Sequence, residues 1–243
     1  MFALLNKEIR TFLSSLIGYV VIAVFLLITG LFMWIFDGDT NILETGYADI
    51  ETLFYISPWV FMFLIPAITM RSFAEEKRSG TIELLFTKPL TDLQIIMAKY
   101  LAGFLLVVIA LIPTLLYYFS VYMLGSPVGN IDSGGTWGSY IGLLLLAAGY
   151  LSIGIFASSI TNNQIVSFLV SAMLCFFMYT GFQSLASFEL LGSMDSFVMK
   201  LGMQDHYSSL SLGLIDSRDV VYFVALIAIF LLLTKTVLNS RRW

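Results

Sequence analysis

Apolar residues run along this chain in long unbroken stretches, with no heptad seam and no strict alternation of apolar and polar positions. Six stretches stand out, at residues 16–36, 53–70, 101–124, 137–160, 165–187 and 220–238. A bilayer core about 30 Å thick takes roughly 20 apolar residues in a helix. The pattern therefore predicts an all-α fold, a polytopic membrane protein of six transmembrane helices forming one domain over residues 1–243. The first stretch is longer than a signal-peptide core and carries no Ala-x-Ala-like cleavage site, so it reads as an uncleaved span.

Two segments outside the spans carry an amphipathic pattern. In the N-terminal arm, Phe2, Leu5, Ile9, Phe12 and Leu13 share an arc of about 100° on a helix, with Lys7, Arg10 and Thr11 turned away. Such a helix lies in the membrane interface. In the 71–100 connection, Ser79-Gly80 marks a break, and Ile82, Leu85 and Phe86 then fall on one arc, with Glu83, Thr87 and Lys88 off it and Leu84 out of pattern. Pro89 disfavours helix at the residue before it. Thr91 and Gln94 fit a capping box, so the third helix starts before its membrane span and runs through Lys99.

The positions of the charges orient the spans. Lys7, Arg10, Arg71, Lys77, Arg78, Lys88, Lys99, Lys235, Arg241 and Arg242 fall on one side, whereas the opposite loops hold only Lys200 and Arg218. Those opposite loops carry the acids Asp37, Asp39, Glu44, Asp49, Glu51, Asp132, Glu189, Asp195, Asp205, Asp216 and Asp219. The positive-inside rule then puts both termini in the cytoplasm, in agreement with an even number of spans. Composition supports the same class: 59% of the 243 residues are apolar and 12% charged, and the mean hydropathy is +0.92. That balance excludes a disordered chain, a nucleic-acid binder with a basic surface and an ordinary soluble enzyme.

Candidate chemistry is sparse. One cysteine, Cys175, and one histidine, His206, leave no zinc set and no Cys–His nucleophile, so neither a catalytic nor a metal site is expected, nor a cofactor. No span core carries Asp, Glu, Lys, Arg or His near its middle, which counts against an ion-coupled carrier. No phosphate-binding loop is present either, so a transport cycle driven by ATP needs a separate ATPase.

The string Glu75-Glu76, Gly80-Thr81-Ile82-Glu83-Leu84-Leu85, Pro89 and Lys99 resembles the cytoplasmic loop of ABC-2 type transporter permeases. With 206-HYSSLSLGLIDSRDVVYF-223 and the six-span length, the chain most resembles the gliding-motility-associated ABC permease subunit of the Bacteroidetes. The resemblance implies that residues 80–89 form a coupling helix seated in an ATP-binding subunit, in a bacterial inner membrane. Glu83 and the pair Glu75/Glu76 would contact the ATPase or brace the second span, and Ile82, Leu85 and Phe86 would fill its apolar groove. It also implies an elbow helix at the N-terminal arm, a second permease chain (the same or different), an accessory membrane subunit and export as the direction of transport. Two short helices dipping into the outer leaflet are expected in residues 188–219, where Leu190-Leu191 and Phe197-Val198 alternate with polar residues and Gly192 and Gly202.

Several readings of the residues stay open. The 71–100 segment reads equally as an interfacial stretch or as a scaffold that recruits a cytosolic partner without transport, and the arm as a simple basic anchor. Pro58 and Pro66 in the second span and Pro113 in the third predict kinks or local unwinding, the first two a hinge or a static feature. Gly138 and Gly142, and Gly154 with Ser158, mark close helix packing within the chain or along a dimer seam. Asp195, Lys200, Asp205 and His206 read as solvated loop groups or as substrate contacts.

Overall fold

A computed structural model of the chain describes residues 1–87, 89–188, 192 and 195–240. Lys88, Glu189, Leu190, Leu191, Arg241 and Arg242, as well as the side chain of Phe86, lie outside the described residues. In chain order the helices are α1 (Phe2–Ser14), α2 (Leu16–Trp34), α3 (Ile42–Thr45), α4 (Glu51–Thr69), α5 (Ala74–Arg78), α6 (Thr81–Phe86) and α7 (Asp92–Leu111). There follow α8 (Leu115–Leu124), α9 (Ser133–Ile160), α10 (Gln164–Phe176), α11 (Phe182–Ser187), α12 (Asp195–Met199), α13 (Met203–Ser211) and α14 (Ser217–Asn239). Among the described residues there is no strand.

Six stretches of helix are long and apolar enough to cross a membrane: α2, α4 with α5, α7 with α8, α9, α10 with α11, and α14. Each falls on one of the six apolar runs. Their starts follow local chemistry, because a helix leaves its first N–H groups without partners and a short polar side chain satisfies one. Ser15 accepts from the Gly18 N–H, Asp132 from Gly135, Asn163 from Ile165 and Asp216 from Arg218. At α7 the capping box forms: Thr91 Oγ1 accepts from the Gln94 N–H at 3.4 Å, and Gln94 Oε1 from the Thr91 N–H at 3.1 Å.

The core is arranged around α9, which packs against α4, α7, α10, α13 and α14. Most of α4, α7 and α9 is enclosed, whereas α2, α10 and α14 turn most of their surface outward. Cys175, on α10, is wholly buried. Small residues on α9 allow its close contacts. A Cβ at Gly154 would stand 2.1 Å from Thr69 Oγ1 on α4, and one at Gly142 would stand 2.5 Å from Leu210 Cβ on α13. One at Gly138 would fall 2.5 Å from the Gly213 carbonyl oxygen just beyond α13. The Gly138/Gly142 pair is thus used within the chain.

The prolines behave differently. At Pro113 the third span tightens into a single 3₁₀ turn over Ile112–Thr114. By contrast α4 continues as helix through both Pro58 and Pro66. Pro58 cannot donate to the carbonyl of Phe54, four residues back. That carbonyl instead accepts from the Tyr207 hydroxyl at 2.7 Å, in a buried contact reaching across from α13. Burial holds the Tyr207 phenol well above its ordinary pKa, so it stays a donor. The fifth span also contains an unforeseen wide turn, Phe177–Gly181, between α10 and α11.

Among the described residues of 188–219 lie two short helices, α12 and α13, the second following Gly202 at its N-terminal cap. Met203, Tyr207 and Leu210 of α13 are buried in the bundle, against α9 and its neighbours.

Candidate functional site

The chemistry-bearing side chains of this chain converge at the end of the bundle that holds α1, α5, α6 and the start of α7. The second span leaves the membrane-spanning core through a turn at residues 70–73, which a single side chain on α9 fastens. Ser158 Oγ accepts from the Phe73 N–H at 3.0 Å and the Ala74 N–H at 3.1 Å, and donates to the Met70 carbonyl at 3.2 Å. One residue on, the Lys77 ammonium donates to the Ser159 carbonyl at the end of α9. Alternation of a small residue and a hydroxyl on α9, Gly154 then Ser158, lets α4 approach and then ties its exit.

Behind α5 lies a buried ion cluster. Lys99 on α7 is only 3% exposed, and a lysine that buried needs paired carboxylates. It has two: Glu76 Oε1 on α5 at 2.8 Å and Glu8 Oε1 on α1 at 3.3 Å. The Phe73 ring centroid sits 5.2 Å from the same ammonium, within cation–π range. Lys7 stands 3.7 Å from Glu8, which brings a second cation to the edge of the cluster. The other oxygen of Glu76 is buried without a hydrogen-bond partner. One ammonium thus holds the N-terminal helix, the segment after the second span and the third span together.

This cluster sets which face of α1 meets the protein. Leu4 and Glu8 are buried, and Leu5, Phe12 and Ser15 half-buried, whereas Phe2 and Leu13 are exposed. The face on the protein is therefore rotated by roughly a quarter turn from the apolar arc, at 100° per residue. Ile9, half-buried, sits between the two.

Beyond α5 the chain reverses at Gly80, whose φ of 71° is readily adopted only without a Cβ. Helix α6 follows, with Ser79 Oγ 2.8 Å from Thr81 Oγ1 at the corner. Leu85 is buried (8% exposed) and Ile82 half-buried, so these two residues of α6 are turned back onto the chain. Exposed are Thr81, Glu83, Leu84 (65%) and, past the helix, Pro89. Glu75 is exposed while Glu76 faces Lys99, so the acidic pair splits between two jobs. An apolar-walled cavity of about 610 Å³ separates α6 from the start of α1, lined by Leu4, Leu84, Leu85 and Pro89 among others. The two prolines Pro58 and Pro66 lie in α4, above this junction and apart from it.

At the opposite end, His206 on α13 is clamped. Its Nδ1 lies 2.7 Å from Asp219 Oδ1 on α14 and its Nε2 lies 2.9 Å from the Lys200 carbonyl oxygen. Ser209 donates to the second oxygen of Asp219 at 2.6 Å, and the Tyr222 ring stacks on the imidazole at 4.0 Å. His206 and Lys200 are thus brought together through backbone, while Asp205 lines a separate small cavity with Gln183. Asp219 and Tyr222, which complete the clamp, were not singled out by sequence. Among the described residues no group of three or more His, Cys, Asp or Glu side chains could hold a metal ion.

Six membrane-crossing helices with a charged, multi-helix junction at one end define a multi-pass helical membrane protein. Residues 37–234 match the family described as ABC-2 family transporter protein, and the chain belongs to that family. A search of curated proteins returns no match. Membership makes the chain a transmembrane permease subunit and implies a membrane setting and an ABC ATP-binding partner.

Proposed function

We propose that α6, with the residues around it from Glu75 to Pro89, is the coupling helix on which the ATP-binding subunit acts, and that the end bearing it faces the cytoplasm with both termini. The observation that carries this reading is the Lys99 cluster: a load on α6 passes through α5 and Glu76 to the third span and to α1, the elbow helix in this scheme. Glu83 and Leu84 supply the exposed face for the ATPase, with Thr81, Glu75 and Pro89 at its edge. Leu85 and Ile82 meet the partner only if α6 turns as it docks, and Phe86 joins them in its apolar groove. Pro58 and Pro66 serve as the flexible part of α4 in this scheme, with the Tyr207–Phe54 bond holding one setting.

Two permease chains and two ATPase subunits make the working transporter, in a bacterial inner membrane. Export, an accessory membrane subunit and a role in surface gliding rest on the resemblance of the 71–103 loop and the 206–223 segment alone. The test is co-reconstitution of the chain with its ATPase and measurement of hydrolysis. Glu83→Arg, Leu84→Arg and Leu85→Arg should each abolish stimulation at least tenfold while the protein still inserts. Unchanged stimulation in all three removes the coupling assignment, and retained ATPase binding without any stimulation by the native chain favours the scaffold reading.

A further inference from the structure

A second cavity at the same junction, about 350 Å³ in volume, lies between α1, the end of α4 and α5. That is within the size range of small-molecule sites. Its floor is apolar: Phe12, Ile17 in the first turn of α2, and Ile68 in the last turn of α4. Ile17 stands at the start of the first apolar run and Ile68 at the end of the second, just before the turn at residues 70–73, so the cavity opens at the depth of lipid headgroups. Its charged wall holds Arg71 and Glu75. Both are exposed, and neither pairs with the other or with any other described residue, although they stand four residues apart. The cavity's other ions are already engaged, Lys99 with Glu8 and Glu76, and Lys7 with Glu8.

We propose that this cavity binds a phosphoethanolamine headgroup, the phosphate on the Arg71 guanidinium and the ammonium on the Glu75 carboxylate, with its lipid tail along Ile17 and Ile68. A guanidinium binds phosphate through paired N–H donors. The carboxylate gains charge-assisted hydrogen bonds from a primary ammonium, which a quaternary choline cannot donate. A purely anionic headgroup satisfies Arg71 and leaves Glu75 repelled. This site shares Glu75 with the edge of the proposed ATPase face, and its test reads lipid binding in the absence of any ATPase, so the two readings fail separately.

The full chain, purified in detergent, is titrated with short-chain phosphatidylethanolamine, phosphatidylcholine and phosphatidylglycerol and with soluble phosphoethanolamine, and bound lipid is counted by native mass spectrometry. Phosphatidylethanolamine should bind at least tenfold tighter than either other lipid, and tighter than soluble phosphoethanolamine. Arg71→Gln and Glu75→Gln should each erase that preference, and Arg71→Lys should restore part of it. Both positions are exposed, so these variants keep the fold, which a matched elution volume and helicity verify. Equal binding of the three lipids, or a preference that survives both glutamine variants, overturns the proposal. Soluble phosphoethanolamine binding as tightly as the lipid overturns the lipid as its source.

Discussion

The two ends of the bundle close by opposite means. At the α1–α5–α7 end, three helices meet on a buried ammonium and two carboxylates, and the short helix beyond them leaves Glu83 and Leu84 uncovered. At the far end, α13 is drawn into the core by Met203, Tyr207 and Leu210, and its contacts with Asp219, through His206 and Ser209, sit at the rim. Desolvated charge is strong only while every partner stays in place, and removal of one leaves the rest uncompensated. Apolar burial and neutral hydrogen bonds fade gradually. The first end is thus suited to respond sharply to a displaced helix, and the second to remain shut.

The sharpest way to break this contrast is Lys99→Met, which strands Glu8 and Glu76. It should cost about 3–5 kcal/mol, read by unfolding in detergent micelles. Adding Glu8→Gln and Glu76→Gln should recover most of that loss, and failure to recover would mean that Lys99 acts by packing alone. At the other end Tyr207→Phe leaves the Phe54 carbonyl without a donor, and should cost about 1–3 kcal/mol by the same measurement. Gly154→Ala places a methyl against Thr69 and should cost a similar ~1–3 kcal/mol, partly relieved by Thr69→Ala. Next, Thr91→Ala removes the cap of α7, at about 1 kcal/mol. Smallest in stability is Glu83→Arg, an exposed change expected within about 0.5 kcal/mol. Its effect belongs instead to ATPase stimulation, which separates the responsive end from mere scaffolding.

Local chemistry was legible in the sequence. The Thr91–Gln94 box, the reversal at Gly80 and the positions of six spans depend on neighbours within a few residues, and each is found where the pattern puts it. Gly138 and Gly142 announced a close approach but not to what, because Leu210 and Gly213 lie far along the chain. Pro58 announced a kink or local unwinding, but not Tyr207, the distant donor to the carbonyl it leaves free. Which face of α1 meets the protein was not legible for a related reason. An apolar arc points to whatever is apolar, lipid included, and it was Glu8, off that arc, that the protein needed for Lys99. A lysine eight residues into α7 was the available signal, since a charge placed there asks for carboxylates elsewhere.

The hydrogen bond between Tyr207 and Phe54 joins groups separated by 153 positions. Chains emerge from the ribosome N-terminus first, so the second span is made long before its eventual donor exists. Until α13 is synthesised and seated, that carbonyl must be satisfied by water, by the insertion machinery or by a temporary neighbour, since bare polar groups are costly in hydrocarbon. Biogenesis of this subunit therefore finishes late: truncation anywhere before residue 207 should yield a chain that inserts yet stays a substrate for membrane quality-control proteases.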